Sequence, residues 1–518
     1  MSHLPVLPVI IPLSVATILL LARSVDLDRQ RIVSLVGMVV YAVVAAMQLV
    51  AVVDGGIFVY KLGNWAAPYG IVVVLDQLSA LMIALTAVLA LPVTLASIAG
   101  TDGRGRHFHA FLHLQVAGLS GAFLTGDVFN LFVFFEILLL ASYVLLLHGG
   151  GFERARSGFS YVSINLAGSA LFLVALGLIY GVLGTLNLAD IAILLPQVAP
   201  SEYALVRTAM ILLAVVFVLK AAVLPLGFWL PHVYSSALLP VAALFVIMTK
   251  VGIYALLRVS TIGFAAAPIT TDLMLPWLPW LAIGTIVVGG VGSLAARNFA
   301  VVIANLVLIS SGTMLLGISL GTVPAISATL FYLIHTTVVT GGLFLLTHTV
   351  SEQRGTLGDL LEKGPRLGMF LTLGAAYLVL GIAASGAPPL SGFLGKVMVM
   401  QAVSDTPWAG VAWTVLLVAG FAAALVLARA ASAFFWEPGR GEDETSGEQA
   451  AGVAISRRVD GTVVAAVFIM VIAAPLLVVS AATVSTYARA AATQLNERQP
   501  YIEAVLGREV KIERERRP

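Results

Sequence analysis

Cysteine is absent from the sequence, which excludes disulfides, thiolate metal sites, cysteine nucleophiles and cysteine-held iron–sulfur clusters. Charge is almost as scarce. Asp, Glu, Lys and Arg make up 10% of the 518 residues, where a soluble domain carries about 25%. A net charge of +2 leaves no basic footprint for a nucleic-acid partner. The opening Met-Ser-His-Leu-Pro lacks the basic n-region and small-residue cleavage pattern of a signal peptide, so the first apolar run is expected to be a retained helix. What the chain has is apolar length. Hydrophobic residues make up 60% and mean hydropathy is +1.03, the composition of an all-α polytopic membrane protein.

Hydropathy predicts about fourteen spans, near 4–22, 32–53, 71–99, 108–125, 127–147, 158–184, 205–223, 239–257, 277–295, 299–318, 324–349, 368–402, 408–436 and 462–484. Between and after them lie a charged, Gly-rich loop at 437–461 and a charged tail at 485–518, read as solvated. Loops after odd-numbered spans carry most of the Lys and Arg. Those after even-numbered spans carry only Lys61, Arg207 and Arg258. The excess places the odd loops in the cytoplasm and both termini outside. Two runs are interrupted by proline: PLGF at Pro225, and PPLSGF at Pro388 and Pro389. Proline removes a backbone donor, and in lipid such a break survives only where protein or water satisfies the freed groups. Paired interruptions of this kind point to internal repeats in transporters.

Within FNLFVFFEILLLASYVLLL (129–147) sits Glu136. A charged side chain near a bilayer centre costs about 2.5–3.5 kcal/mol even on lenient scales. Counting about 1.5 Å per residue puts Glu136 about 14 Å below its entry point, and Lys250 and His335 each about 17 Å in, close to the midplane. Lys220 precedes the Pro225 break and Lys396 follows the break at Pro388 and Pro389. These five form a candidate row of proton-transferring groups. A lysine amine in a dry interior gives up its proton more readily than in water, and a nearby carboxylate reverses this. Arginine would stay charged throughout, and histidine relays protons through two ring nitrogens. The rival readings are structural: an inert ion pair at Glu136, snorkelling at Lys220 and Lys396, a packing role for His335. Arg429 and His348 read as interfacial anchors, Asp76 as a helix N-cap, and His107, His109 and His113 as an interfacial cluster rather than a metal site.

The segments FNLFVFFEILLLASYVLL, VFVLKAAVLPLGFWLPHVYSSA, LPVAALFVIMTKVGIYALLR and PPLSGFLGKVMVM resemble the antiporter-like subunits shared by Mrp-type sodium/proton antiporters and respiratory complex I, the D-type branch above all. The resemblance spans roughly residues 70–430. It implies about fourteen helices: an N-terminal group (1–99), two inverted five-helix repeats (100–258 and 277–436) with broken seventh and twelfth spans, and a last span at 462–484. It also implies proton transfer through Glu136, Lys220, Lys250, His335 and Lys396, with Glu136 pairing Lys220. No cofactor or metal is implied. The expected setting is a bacterial cytoplasmic membrane, with membrane lipids around the chain, other Mrp subunits as partners, and protons and Na+ as the transported ions. The chain is thus read as a secondary-transporter subunit, not an enzyme. A pumping subunit of complex I or of a membrane-bound hydrogenase, and an inert scaffold, stay open as alternatives. The stretch AARNFAVVIANLVLISSGTMLLG departs from the family pattern in lacking an acidic–basic pair and a tyrosine.

Overall fold

In hydrocarbon every backbone N–H and C=O must find a partner within the protein, so long apolar runs become helices. The computed structural model of the chain describes residues 3–21, 25–263, 265, 267, 270, 273, 276–436 and 460–507. Its helices, in order, are α1 (Leu7–Leu21), α2 (Leu27–Ala51), α3 (Gln77–Ser97), α4 (Phe108–Leu124), α5 (Val128–Leu147), α6 (Phe152–Leu183) and α7 (Leu188–Leu194). Then come α8 (Tyr203–Lys220), α9 (Trp229–Ser236), α10 (Leu239–Ile262), α11 (Leu278–Ala295), α12 (Phe299–Ile318) and α13 (Val323–Arg354). The last group is α14 (Phe370–Ser385), α15 (Ser391–Ala402), α16 (Ala409–Ala431), α17 (Gly461–Val479), α18 (Ala481–Asn496) and α19 (Arg498–Leu506). Several starts are fixed by side chains that accept the unpaired first-turn N–H groups. Asp26 caps α2, Asp127 caps α5, Asn187 caps α7 and Asp460 caps α17. Asp76 and Ser79 form a reciprocal capping box at α3.

Among the described residues, 12 helices are long and apolar enough to cross a membrane. The fourth predicted span falls short as the 17-residue α4. The predicted run 368–402 is divided into α14 and α15. The predicted start of the third span is not helical: Val72–Leu75 is a strand (β2) paired antiparallel with Phe58–Lys61 (β1), Phe58 facing Leu75. The loop 437–461 lies almost wholly outside the described residues. So does the tail beyond Gly507, but 481–506 departs from the solvated reading. There α18 and α19 bury Ala488, Ala491, Ala492, Leu495 and Tyr501. Tyr487 Oη donates to Gln77 O at 2.8 Å, and Gln494 accepts from Gln77 N at 3.0 Å.

Burial sorts the helices into centre and rim. In the most apolar stretch of α10, α12 and α13, 94% of residues are buried, against 33% in α6 and 39% in α16. The rim helices expose large apolar side chains, such as Leu166 and Val174 on α6 and Leu417 and Phe421 on α16, as a lipid-facing surface must. Charged and polar groups within the bundle are carried by the central helices and by α5, α6, α8 and α15, those of α6 being neutral.

Candidate functional site

Glu136 lies midway along α5, where Ser169 Oγ of α6 donates to its Oε1. Lys220 is the last residue of α8. Its Nζ donates to Asn165 Oδ1 of α6 at 2.9 Å and lies 5.8 Å from the centre of the Phe135 ring. Asn165 Nδ2 donates to Tyr161 O at 2.8 Å, so its amide oxygen is the atom left to face the amine. Asn165 and Ser169 are four residues apart and share one helix face. The expected direct contact of Glu136 with Lys220 is not made. Among the described residues no ion pair joins them, and each charged group rests instead on a neutral side chain of α6.

After Lys220 the helix stops, and residues 221–228 turn through a cis Leu224–Pro225 bond before α9 begins. The backbone groups freed there are taken up locally. Trp229 Nε1 donates to Leu219 O at 3.3 Å, and Leu224 N donates to Thr285 Oγ1 at 2.9 Å. α10 crosses this break at Gly252, where a Cβ would stand 2.4 Å from Ala221 N. Two residues before that contact, Lys250 is fully buried. Among the described residues its amine has two long contacts, to Thr249 Oγ1 at 3.4 Å and Ser310 Oγ of α12 at 3.5 Å, both at the limit of hydrogen bonding. The neighbouring Ser311 Oγ is buried and has no hydrogen-bond partner among the described residues.

The second break, residues 386–390, contains a cis Pro388–Pro389 bond. Lys396 reaches back across it from α15 and donates to Ser385 O, the final residue of α14, at 2.7 Å. Gly386 has φ +78°, which favours glycine, and a Cβ there would meet Lys396 Nζ at 2.7 Å and push the amine aside. His335 of α13 is buried, with Nδ1 2.9 Å from Ser391 Oγ at the start of α15. His335, Lys396, Tyr332 and Thr336 line one small cavity with apolar neighbours from α12 and α16. Of the five residues singled out from the sequence, Lys220, Lys250, His335 and Lys396 are buried and Glu136 is half-buried; they fall in three groups: Glu136 with Lys220 across α6, Lys250 between α10 and α12, and His335 with Lys396 at the second break.

Sequence and structural comparison places these groups in a known context. The family described as NADH:quinone oxidoreductase/Mrp antiporter, TM, matches residues 125–425. The chain belongs to that family. The D subunit of a probable K(+)/H(+) antiporter of Rhizobium meliloti is 40% identical over 470 residues, 84% of this chain and 87% of the relative. Its counterpart in the Na(+)/H(+) antiporter of Bacillus subtilis is 36% identical over 405 residues, 77% of this chain and 80% of the relative. A chain of the Mrp complex from Dietzia sp. DQ12-45-1b superposes with a TM-score of 0.86 at 26% identity, covering 98% of this chain and 99% of that one. The matched family segment holds all five residues and their α6 partners.

Away from these three groups, the structure corrects several readings of this antiporter-family chain. Asp76 caps α3 but also binds Arg258, with Nη1–Oδ2 at 2.5 Å and Nη2–Oδ1 at 2.7 Å. Arg258 is therefore a buried residue of α10 and not a loop charge. The guanidinium lies 5.6 Å from the Tyr501 ring centre, so α19 covers this pair. His109 and His113 meet at one serine of α2. Both are buried, and Ser34 Oγ of α2 lies 3.0 Å from His109 Nδ1 and 3.1 Å from His113 Nε2. Asp102 joins them, 3.1 Å from His109 Nε2 and bound by Arg31 at 2.6 and 2.9 Å. Burial alone would raise the Asp102 carboxyl; the bonds from Arg31 and His109 outweigh it and hold it below the usual carboxylate range. His107 sits in the left-handed region at the N-cap of α4. His348 is buried within α13. Arg429 donates to the α11-end carbonyls of Leu294 and Ala296, at 3.4 and 2.5 Å.

Proposed function

We propose that this chain is the proton-translocating D-type subunit of a multisubunit monovalent cation/proton antiporter, working with other Mrp subunits in a bacterial cytoplasmic membrane. The observation that carries the reading is the set of three buried lysines and one glutamate inside the family-matched segment, with no ion pair neutralising any of them among the described residues. Such groups are expensive in a membrane and are kept for ion or proton movement. In this reading protons pass among Lys220, Lys250, His335 and Lys396, and the spacing of Glu136 from Lys220 is the gate. When the carboxylate approaches, the ammonium form is favoured; when it withdraws, the amine can release its proton. Helix breaks at Pro225, Pro388 and Pro389 supply carbonyls and room for water beside two of the amines. The inverted-repeat division into 100–258 and 277–436 follows from the same reading.

Sodium is the cation that the sequence resemblance implies; the relatives' names include both potassium and sodium, so the assay runs with each. Both termini are assigned to the outer side. The two described ends support a shared side: His3 packs against the ring of Tyr60 in β1, and Gln494 donates to Gly55 O just before that strand. The test is antiport in inverted vesicles carrying the whole complex. Glu136→Ala and Lys220→Ala should abolish cation-driven proton movement while the complex still assembles. Full antiport in either variant removes the gate. Co-purification with flavin and iron–sulfur subunits, in place of small Mrp subunits, would turn the reading toward complex I.

A further inference from the structure

We propose that Asn165 and Ser169 of α6 are positioning residues: a pair of neutral seats, one helical turn apart, that hold Lys220 and Glu136 away from each other. The inference rests on the gate reading above and names the element that sets it.

Three observations converge. Each charged group has a hydrogen-bond partner on α6 and none on the other: Asn165 Oδ1 for the amine, Ser169 Oγ–H for the carboxylate. α6 packs against both α5 and α8, more extensively than α10, the other helix that touches both. The seats are also built to face the right way. The bond from Asn165 Nδ2 to Tyr161 O fixes the amide so that only its oxygen faces Nζ. Ser169 spends its single proton on Glu136.

The chemistry of the seats differs from that of an ion pair in a way that matters for proton release. An amide oxygen accepts an N–H from ammonium or from neutral amine, so Asn165 retains Lys220 in either state. A carboxylate at the same place would favour the charged form only. Ser169 gives the carboxylate a donor in the absence of its counter-ion, so Glu136 has a resting position once the lysine has left. A contact between Glu136 and Lys220 then competes with two neutral hydrogen bonds, both offered by one helix. A small shift or rotation of α6 relative to α5 and α8 biases the two arrangements together.

The experiment uses the assembled complex, with single-particle structures and vesicle antiport measured on the same variants. In Asn165→Leu the amine loses its seat. Lys220 Nζ should be found at roughly 3 Å from a Glu136 oxygen, and antiport should fall about tenfold, the scale of one lost hydrogen bond. Ser169→Ala, a smaller change that tests the same point if Asn165→Leu does not assemble, should bring Glu136 toward Lys220 and lower antiport in the same direction. Asn165→Asp keeps an acceptor and should leave Lys220 on α6 while slowing turnover, because a second carboxylate holds the ammonium. In Asn165→Leu/Glu136→Gln the amine should no longer move to position 136, a result that a merely structural role for Asn165 does not predict. Lys220 staying away from Glu136 in both Asn165→Leu and Ser169→Ala, or wild-type antiport in both while Glu136→Ala abolishes it, overturns the seats. If Glu136→Ala abolishes antiport while Lys220 stays in place in those variants, the gate stands and the seats fall. If Glu136→Ala antiports fully while Lys220 moves as described, the seats stand and the gate falls.

Discussion

Lys250→Met separates transport from architecture. Lys250 is fully buried, and an ammonium has three N–H donors, yet only Thr249 Oγ1 at 3.4 Å and Ser310 Oγ at 3.5 Å are within reach. Both hydroxyls already donate elsewhere, Thr249 to Val246 O and Ser310 to Val307 O, so neither loses its own bond when the amine is removed. At least one N–H has no protein acceptor among the described residues, and a buried donor without an acceptor costs about 1–3 kcal/mol. Methionine has nearly the same length, no donors, and a flexible chain that fills irregular space. The substitution is therefore expected to stabilise the subunit by about 1–3 kcal/mol, in line with the general gain from replacing buried charge by apolar side chains. It should also abolish antiport. The measurements are the thermal transition of the purified complex and cation-driven proton movement in vesicles. A Lys250→Met complex that melts below wild type would mean that the amine is held by more than Thr249 and Ser310. One that antiports at the wild-type rate would remove Lys250 from the relay. A scaffold role makes the opposite prediction on both counts, lost assembly and unchanged transport per complex.

Two further outcomes follow from ion pairs the hydropathy profile hides. Arg258→Leu leaves Asp76 buried without its partner and should cost about 3–5 kcal/mol, seen as loss of assembled complex on native gels; Asp76→Leu/Arg258→Met, which removes both charges, should recover most of it. Asp102→Asn weakens the bidentate bond from Arg31 and should cost about 1.5–3 kcal/mol of local stability, read by proteolysis of the 98–107 loop. Because the Asp102 carboxyl is held below the usual carboxylate range, its contribution is complete above the ordinary carboxylate value and is lost only as pH falls through the lowered one. Wild-type protection should thus be flat from about pH 7 to about pH 5. Loosening within that window would assign the lock to another group.

The helices were legible because lipid leaves an apolar run no other choice, and the starts of α5 and α17, capped by Asp127 and Asp460, fall beside the predicted ones; the start of α2 after Asp26 was placed too late, and that of α3 too early although Asp76 was read as its cap. The strand at Val72–Leu75 was not, since four apolar residues running into a helix carry no period that separates the two. The C-terminal pair α18–α19 was overlooked for a different reason. Its buried stripe, Ala488, Ala491, Ala492 and Leu495, has the i, i+3, i+4, i+7 spacing of an amphipathic helix, but alanine contributes little hydropathy and the surrounding charges dominate the average. Asn165 and Ser169 were missed because a single amide or hydroxyl in an apolar helix costs little and often bonds its own backbone. Their i, i+4 spacing within SINLAGSALF was the available signal.

The buried amines differ in what they have in place of a carboxylate, and the difference traces to the two breaks. Stopping a helix inside the bundle leaves unpaired carbonyls and about half a negative charge at its C-terminal end. Lys220 is the last residue of α8, and Lys396 donates to the last carbonyl of α14. Each therefore belongs to the end of a helix, Lys220 as a last-turn cation of α8 and Lys396 through its bond to the end of α14. The breaks consume their other free carbonyls differently, with an indole on Leu219 O at the first and the lysine itself on Ser385 O at the second. Lys250, in the middle of an unbroken and fully enclosed α10, has no such terminus and only two stretched hydroxyl contacts. A proton crossing from the first break to the second by way of Lys250 would leave one stabilised position, occupy an unstabilised one and arrive at another stabilised one. That ordering makes the central lysine the step whose removal should cost transport most and stability least.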